Sequence, residues 1–585
     1  MQKSPLISKM KSNSVKLVAT TQERLLIQDL ITALLGDIPI YIRTNFDIQR
    51  IAHPDELWQV HFEIDTVHFS GEQRALINDF LPMMAYQAVV HSYIYVIRFK
   101  QCNGRAQWAL ASLLSKELHR YFAMLWKLQK QYNEKKLSLQ KVVEQLSPWL
   151  PIMNVYCGIA GYTQYLNLNS VQLINRLDEF YDMNDFSSNL ELNKRLCQMI
   201  KQVSAFYMES IQMWTQKGSA GYIENEFFIS DMAMDTEPWE DLSYPEQCSN
   251  LYWDQRYRLH VDRLPNFLMD HANIIFLSGK YLNILKQCNV AMTLIDIPLT
   301  YQRGDLSHIM IIQRSYELAA KSLKDFLVND HELLFHLNNL RLYGLLQEKS
   351  FAKNLMKKLN VYLEAKVSNL KLEELQGQLV KVLHKCGDSF KDLMRIQLKD
   401  CSLLADDIGY DQLCGYDIIC LNYEVKWPLS LVLNSERLGQ MQVLQRVVLC
   451  LRYVQYKLEK LNSSTTSSND PLYTHMLQSF QGLFEYMSMT IESRWREFLD
   501  SVLAAVTIDQ VVSAFKNTLD QSIEVCLSTG PDFVRYVLNI ARTCIECLKV
   551  QELANKGGDE TKEASKPIIE YYKQLLLCMD EKGCI

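Results

Sequence analysis

Apolar residues along this chain recur mostly at spacings of three and four. Leu110, Leu113, Leu114, Leu118, Tyr121, Leu125 and Leu128 follow that pattern, and so do Leu438, Met441, Leu444, Val448, Leu451, Val454 and Leu458. Side chains at these spacings share one helix face, so each series predicts a helix with one buried stripe. Leu26, Leu30, Ile31 and Leu34 mark another helix. Thr20 and Glu23 stand before it at capping-box spacing, and Gly36 suits its C-terminus, with Pro39 beyond. The helical pattern resumes from Leu76 to about Gln145, and Pro148 and Pro151 then mark a break. Further helices are expected over roughly 163–182, 188–214, 253–288, 308–328, 330–347 and 349–365. Alternation, the signature of extended chain, appears in Val60-His61-Phe62-Glu63-Ile64 and again from Tyr423 to Lys426. Trp427 precedes Pro428 there. A proline disfavours helix for the residue before it and suits a first helical turn, so the chain should run extended to Trp427 and turn helical from about Pro428.

Composition strengthens the helical reading. Gly is 20 and Pro 14 of 585 residues, roughly half the usual usage of about 7% and 5%. The expected fold class is all-α with a few short extended segments. Pro298 and Gly304 interrupt the pattern near mid-chain, which places a domain boundary near residue 300. Residues 1–22 hold Lys3, Lys9, Lys11 and Lys16 and no acid, and read as a disordered basic tail. Residues 216–250, 462–470 and 554–566 read as loops. No fixed-period repeat is present.

Charge and chemistry then narrow the function classes. The net charge of −6 supplies no basic field for nucleic acid. No run of about 18 apolar residues is seen, so no membrane insertion is expected. Fifteen cysteines, scattered and odd in number, suggest a reducing compartment. Cys544-Ile545-Glu546-Cys547 is an isolated CxxC, two ligands where a zinc site needs four. His331 and His336 stand five apart, which on one helix would separate them by roughly 140°, so they do not make a zinc pair. Ser278-Gly279-Lys280 resembles the end of a phosphate-binding loop, but Ile274 and Tyr281 occupy positions that would need Gly and Ser or Thr. No catalytic, cofactor-binding or metal-binding residue is assigned, and no enzyme is expected. Arg494-Trp495-Arg496 has a hot-spot composition, with Trp495 expected to pack inward.

Several separated segments carry a resemblance in order. They begin with Leu26-Ile27-Gln28-Asp29-Leu30, then Leu34-Leu35-Gly36, and continue with Lys136-Leu137-Ser138-Leu139-Gln140-Lys141 and Glu226-Phe227-Phe228-Ile229. Tyr252-Trp253-Asp254-Gln255-Arg256-Tyr257, Leu264-Pro265 with Phe267-Leu268, and Ser278-Gly279-Lys280-Tyr281-Leu282-Asn283 follow. Tyr423-x-Val425-Lys426-Trp427-Pro428-Leu429-Ser430-Leu431 closes the series. In this order they resemble the gamma-tubulin complex component family, the grip-motif proteins, and are most similar to its component 2 branch. Two departures stand out. About 24 residues precede the first match here, where that branch usually carries a long N-terminal extension, and Gly221 to Glu226 lacks the usual Asp-Pro. The chain resembles a divergent, shortened member.

The resemblance implies an elongated rod of two consecutive helical-bundle domains. An N-terminal grip domain, 23–300, would make lateral contacts with related components, and a C-terminal grip domain, 301–585, would bind gamma-tubulin. The implied function is a non-enzymatic scaffold that templates microtubule nucleation at a centrosome, spindle pole or other organising centre in the cytoplasm. The implied partners are gamma-tubulin and other components, with no cofactor. Lys426, Arg446, Arg494 and Arg496 are the candidates for facing gamma-tubulin. Trp253, Gly279, Lys280, Tyr423, Trp427 and Pro428 carry the family signature and are expected to be structural. The alternative is a helical adaptor that keeps the fold and lateral contacts without binding gamma-tubulin.

Overall fold

The computed structural model describes residues 19–51, 53–99, 104–163, 168–184, 186, 189–219, 226–232, 250–292, 296–386, 393–399, 413–464, 471–526, 538–546, 548–549 and 570. Helices dominate, as the spacing of apolar residues predicts, and the strands among the described residues form two-stranded antiparallel ribbons. Two compact units are present. One comprises Met1–Asp231, Tyr257–Asn283 and Thr293–Tyr316; the other comprises Met232–Arg256, Ile284–Met292 and Glu317–Ile585. Much of the expected 216–250 loop, residues 1–18, 465–470 and 554–566, and Cys547 lie outside the described residues.

In the first unit, α1 (Ala19–Leu34) buries Leu26, Leu30, Ile31 and Leu34 completely. Gly36 ends it at φ +92°, a conformation that costs glycine little. Buried Asp29 on α1 accepts the amide N–H groups of Ile40, Tyr41 and Ile42 at 2.6, 2.8 and 2.9 Å. These bonds fasten β1 (Ile42–Thr44), which pairs with β2 (Phe62–Ile64), to the helix. Thr20 falls inside α1 and so does not cap it. Glu23 instead reaches across to accept the Leu139 N–H at 2.7 Å, satisfying an orphan donor at another helix's start.

Next come α2 (Gly71–Asn78), α3 (Pro82–Phe99), α4 (Arg105–Asn133) and α5 (Leu139–Leu146). The α4 stripe is buried at Leu110, Leu114, Leu118, Tyr121, Leu125 and Leu128. One window within 71–99 is apolar enough to cross a membrane by length and composition, contrary to expectation, because such a window tolerates scattered charges. It is 61% buried inside the protein, as a core helix is. Pro148 and Pro151 open a helix rather than breaking one. They sit at the N-cap and first turn of α6 (Trp149–Tyr162), where a missing N–H leaves no bond unmade.

The unit continues with α7 (Ser170–Met183), α8 (Leu190–Lys217) and β3 (Ile229–Asp231). Residues 253–271, read as helix in the sequence, are broken up. The short α9 (Asn250–Gln255), in the second unit, is followed by β4 (Tyr257–Leu259), which pairs with β3, and by 3₁₀ turns. Regular helix returns in α10 (Ala272–Gln287). There Gly279 lies under the indole of Trp214, whose Nε1 donates to the Ile275 carbonyl at 2.8 Å.

Then α11 (Ser307–Asn329) is followed by α12 (Leu333–Asn339), which relaxes into a π turn at Leu340–Gly344 where one helix was expected over 330–347. The rest of the second unit contains α13 (Lys349–Glu364), α14 (Leu372–Cys386), β5 (Met394–Leu398), the one-turn α15 (Gly415–Ile418) and β6 (Ile419–Tyr423). The long helices α16 (Ser435–Ser464), α17 (Pro471–Ala504) and α18 (Ile508–Cys526) follow. α16 is the centre, packing against α13, α15, β6, α17 and α18. Its stripe Met441, Leu444, Val448, Leu451, Val454 and Leu458 is buried to at least 97%.

Two glycines give opposite expectations. A Cβ on Gly279 would fall 2.1 Å from the Trp214 ring, whereas one on Gly377, exposed in α14, would meet nothing within 4 Å. Gly279→Ala should therefore cost about 1–3 kcal/mol through overpacking. Gly377→Ala should stabilise by up to about 1 kcal/mol through helix propensity. Urea unfolding followed by circular dichroism reads both, and loss of stability in both variants would contradict the glycine environments described.

Candidate functional site

The signature segment is built on the β5–β6 ribbon. Met394 pairs with Tyr423 and Leu398 with Ile419 in antiparallel register. A two-stranded ribbon has two open edges, each a row of unpaired amides. Glutamine side chains bond to both edges. On β5, Gln376 from α14 accepts the Ile396 N–H at 2.8 Å and donates to the Met394 carbonyl at 3.1 Å. On β6, the fully buried Gln445 from α16 accepts the Leu421 N–H at 2.8 Å. Its Nε2 donates to the Gly344 carbonyl in the π turn. At the ribbon's end, the Tyr423 hydroxyl lies 2.6 Å from His336 Nδ1. Burial pushes the His336 imidazole below its ordinary value and the Tyr423 phenol above. His331 sits in the turn before α12, so the two histidines do not even share a helix.

Beyond the ribbon the chain turns sharply. Trp427 stacks on Trp253 with ring planes 6° apart and centroids 5.9 Å apart, and the Arg256 guanidinium stands 5.1 Å over the Trp253 ring. Ser430 donates to Asn250 Oδ1 at 2.8 Å, while Asn250 Nδ2 donates back to the Ser430 carbonyl. These contacts hold α9 to the signature. The Trp427–Pro428 peptide bond is cis. Pro428 does not start the long helix as its sequence suggests; it opens only a 3₁₀ turn at Leu429–Leu431. α16 begins at Ser435, where Asn434 Oδ1 accepts the Arg437 N–H at 2.9 Å and so supplies the cap.

The candidate residues occupy different settings. Lys426 is exposed just after the ribbon. Arg446 is half-buried on α16 and donates to the Lys399 carbonyl at 3.0 Å, so its guanidinium is engaged at the base of β5. Arg494 and Arg496 flank Trp495 on α17; the indole is 1% exposed and the arginines form surface pairs with Glu497 at 3.1 Å and Glu492 at 3.6 Å. Trp253, Tyr423, Trp427 and Pro428 belong to the second unit, and Trp253 and Trp427 meet there. Gly279 and the half-buried Lys280 lie on α10 in the first. Gln376, Gln445 and Asn250 escaped the sequence reading. Gln445 did leave a signal, being an amide placed directly after Leu444 and three residues before Val448 in the apolar stripe. Among the described residues no group of three or more His, Cys, Asp and Glu is placed to hold a metal ion.

Gln445→Leu would strand the Leu421 N–H and the Gly344 carbonyl. The expected loss is about 2–6 kcal/mol from two orphaned buried groups, readable by urea unfolding; a change below about 1 kcal/mol would show that the amide is dispensable. For His336, the folded state prefers the neutral ring, so the contribution is full above the ordinary pKa of 6.5 and is lost as pH falls through the lower folded value. His336→Gln should flatten the fall in stability as pH drops below about 6.5. An unchanged slope would contradict this.

Residues 27–330 match the family model described as gamma tubulin complex component N-terminal, and residues 333–580 match gamma tubulin complex component C-terminal. The Drosophila melanogaster protein named gamma-tubulin complex component 2 homolog is 24% identical over 525 residues, covering 85% of this chain and 60% of that protein. Mouse gamma-tubulin complex component 2 is 24% identical over 516 residues, covering 81% and 55% respectively. The Schizosaccharomyces pombe protein named spindle pole body component alp4 is 22% identical over 462 residues, covering 64% and 58%. The chain thus spans between half and two thirds of the length of these relatives. With both models matched in order over most of its length, this chain belongs to the gamma-tubulin complex component family.

Proposed function

We propose that this chain is a non-enzymatic scaffold subunit of a gamma-tubulin complex. The observation that carries the reading is the ordered pair of family matches, 27–330 and 333–580. Residues 23–300 serve as the domain that contacts related components side by side, and residues 301–585 as the domain that holds gamma-tubulin. Similarity to component 2 proteins and to a spindle pole body component favours a place at a microtubule-organising centre. No catalytic step is needed. Holding subunits in an arc removes part of the translational and rotational cost of their association, which is how a template lowers a nucleation barrier.

On the second unit, Lys426, Arg494 and Arg496 have the exposure that contact with a partner requires, while Arg446 is committed to the Lys399 carbonyl. Surface pairs such as Arg494–Glu497 contribute only about 0–1 kcal/mol to folding, so their charges can be reversed at little structural cost. The full chain carrying Lys426→Glu, Arg494→Glu and Arg496→Glu should keep its thermal midpoint. It should lose gamma-tubulin affinity by about tenfold or more through like-charge repulsion. Quantitative co-precipitation with gamma-tubulin tests this. Undiminished capture by the triple variant would remove these residues from the interface, and failure of the unsubstituted chain to capture gamma-tubulin would overturn the binding reading itself.

A further inference from the structure

Among the described residues, Arg452 on α16 is a cation without a paired anion. Its guanidinium carbon lies 3.6 Å over the Phe484 ring. Its hydrogen bonds are long, 3.3 Å to Gln455 Oε1 and 3.4 Å to the Leu346 carbonyl, and its buried Nε has no partner. No carboxylate forms an ion pair with it within 4 Å among the described residues, although an enclosed arginine is usually paired. Burial lowers its pKa, which Glu459 only partly offsets.

A cleft of about 320 Å³ opens beside this group between α13, α16 and α17. Lys349 and Lys353, both exposed on α13, stand at its rim, and Ala352, Met356 and Phe484 give it an apolar wall. It also holds two acids: Glu459 faces Lys353 at 3.8 Å, and Glu485 accepts from Gln481 at 2.9 Å. Three cations against two acids leave an excess of positive charge, centred on Lys349 and Arg452, which suits an anion such as a phosphate monoester, whose charge is about −1.5 to −2.

We propose that this cleft binds a phosphate monoester carried on an apolar stem, as on a phosphorylated side chain of a partner protein. Arg452 would exchange its long bonds to Gln455 and the Leu346 carbonyl for bonds from its terminal N–H groups to the phosphate oxygens, Phe484 would hold the guanidinium plane, and Lys349 and Lys353 would close over the anion. The stem would lie along Met356 and Ala352.

Isothermal titration of the full chain with inorganic phosphate and with phenyl phosphate, at fixed ionic strength, tests the site. Saturable binding is expected, tighter for phenyl phosphate, and weakened about tenfold or more by Arg452→Gln. The double variant Lys349→Gln, Lys353→Gln changes only exposed positions and should weaken binding similarly while leaving the thermal midpoint in place. Absence of saturable binding, or equal affinity in the unsubstituted chain and the lysine double variant, would overturn the proposal. Equal affinity for the two probes would overturn the role given to the stem.

Discussion

The side-chain amide of Gln445 sits where a helix, a strand and a π turn meet. It bonds at one end to the Leu421 N–H and at the other to the Gly344 carbonyl, with no exposure to solvent. Apolar burial draws α16 into the centre of its unit, but burial has no preferred register. The amide supplies one, because only one rotation and one axial position of α16 satisfy both backbone groups. Since unsatisfied buried polar groups cost about 1–3 kcal/mol each, alternative registers are penalised. Around that fixed helix the β5–β6 ribbon, the Trp253–Trp427 stack and the flanking helices take their places.

The signature segment follows the same logic. Its residues are mostly buried or bonded within their own unit, as Trp427 is by Trp253 and Tyr423 by His336. What is left exposed is Lys426 and Arg496, with Arg494 half-exposed beside the buried Trp495. A signature of this kind marks how a domain is assembled.

The long stripes were legible in the sequence because three-and-four spacing is a local property, and α4 and α16 lie close to where it puts them. The failures were cases where a distant group decided the outcome. Glu23 looked like the cap of its own helix but serves Leu139, more than a hundred residues away. Pro148 and Pro151 looked like a stop and are a start, since the residues after them find a bundle to pack into. Pro428 looked like the first residue of α16, but Asn434 caps that helix instead. Of the ribbon and the turn after it, the signature residues could be named from sequence. The amides that close the ribbon edges could not, because their partners come from elsewhere in the chain.

The proposed scaffold role has one central requirement, that each chain hold a gamma-tubulin in a fixed ratio. Sedimentation equilibrium of the full chain mixed with gamma-tubulin measures that ratio directly. A complex of one gamma-tubulin per chain, saturating at equimolar addition, is the expected result; chains that sediment alone at every ratio would contradict it.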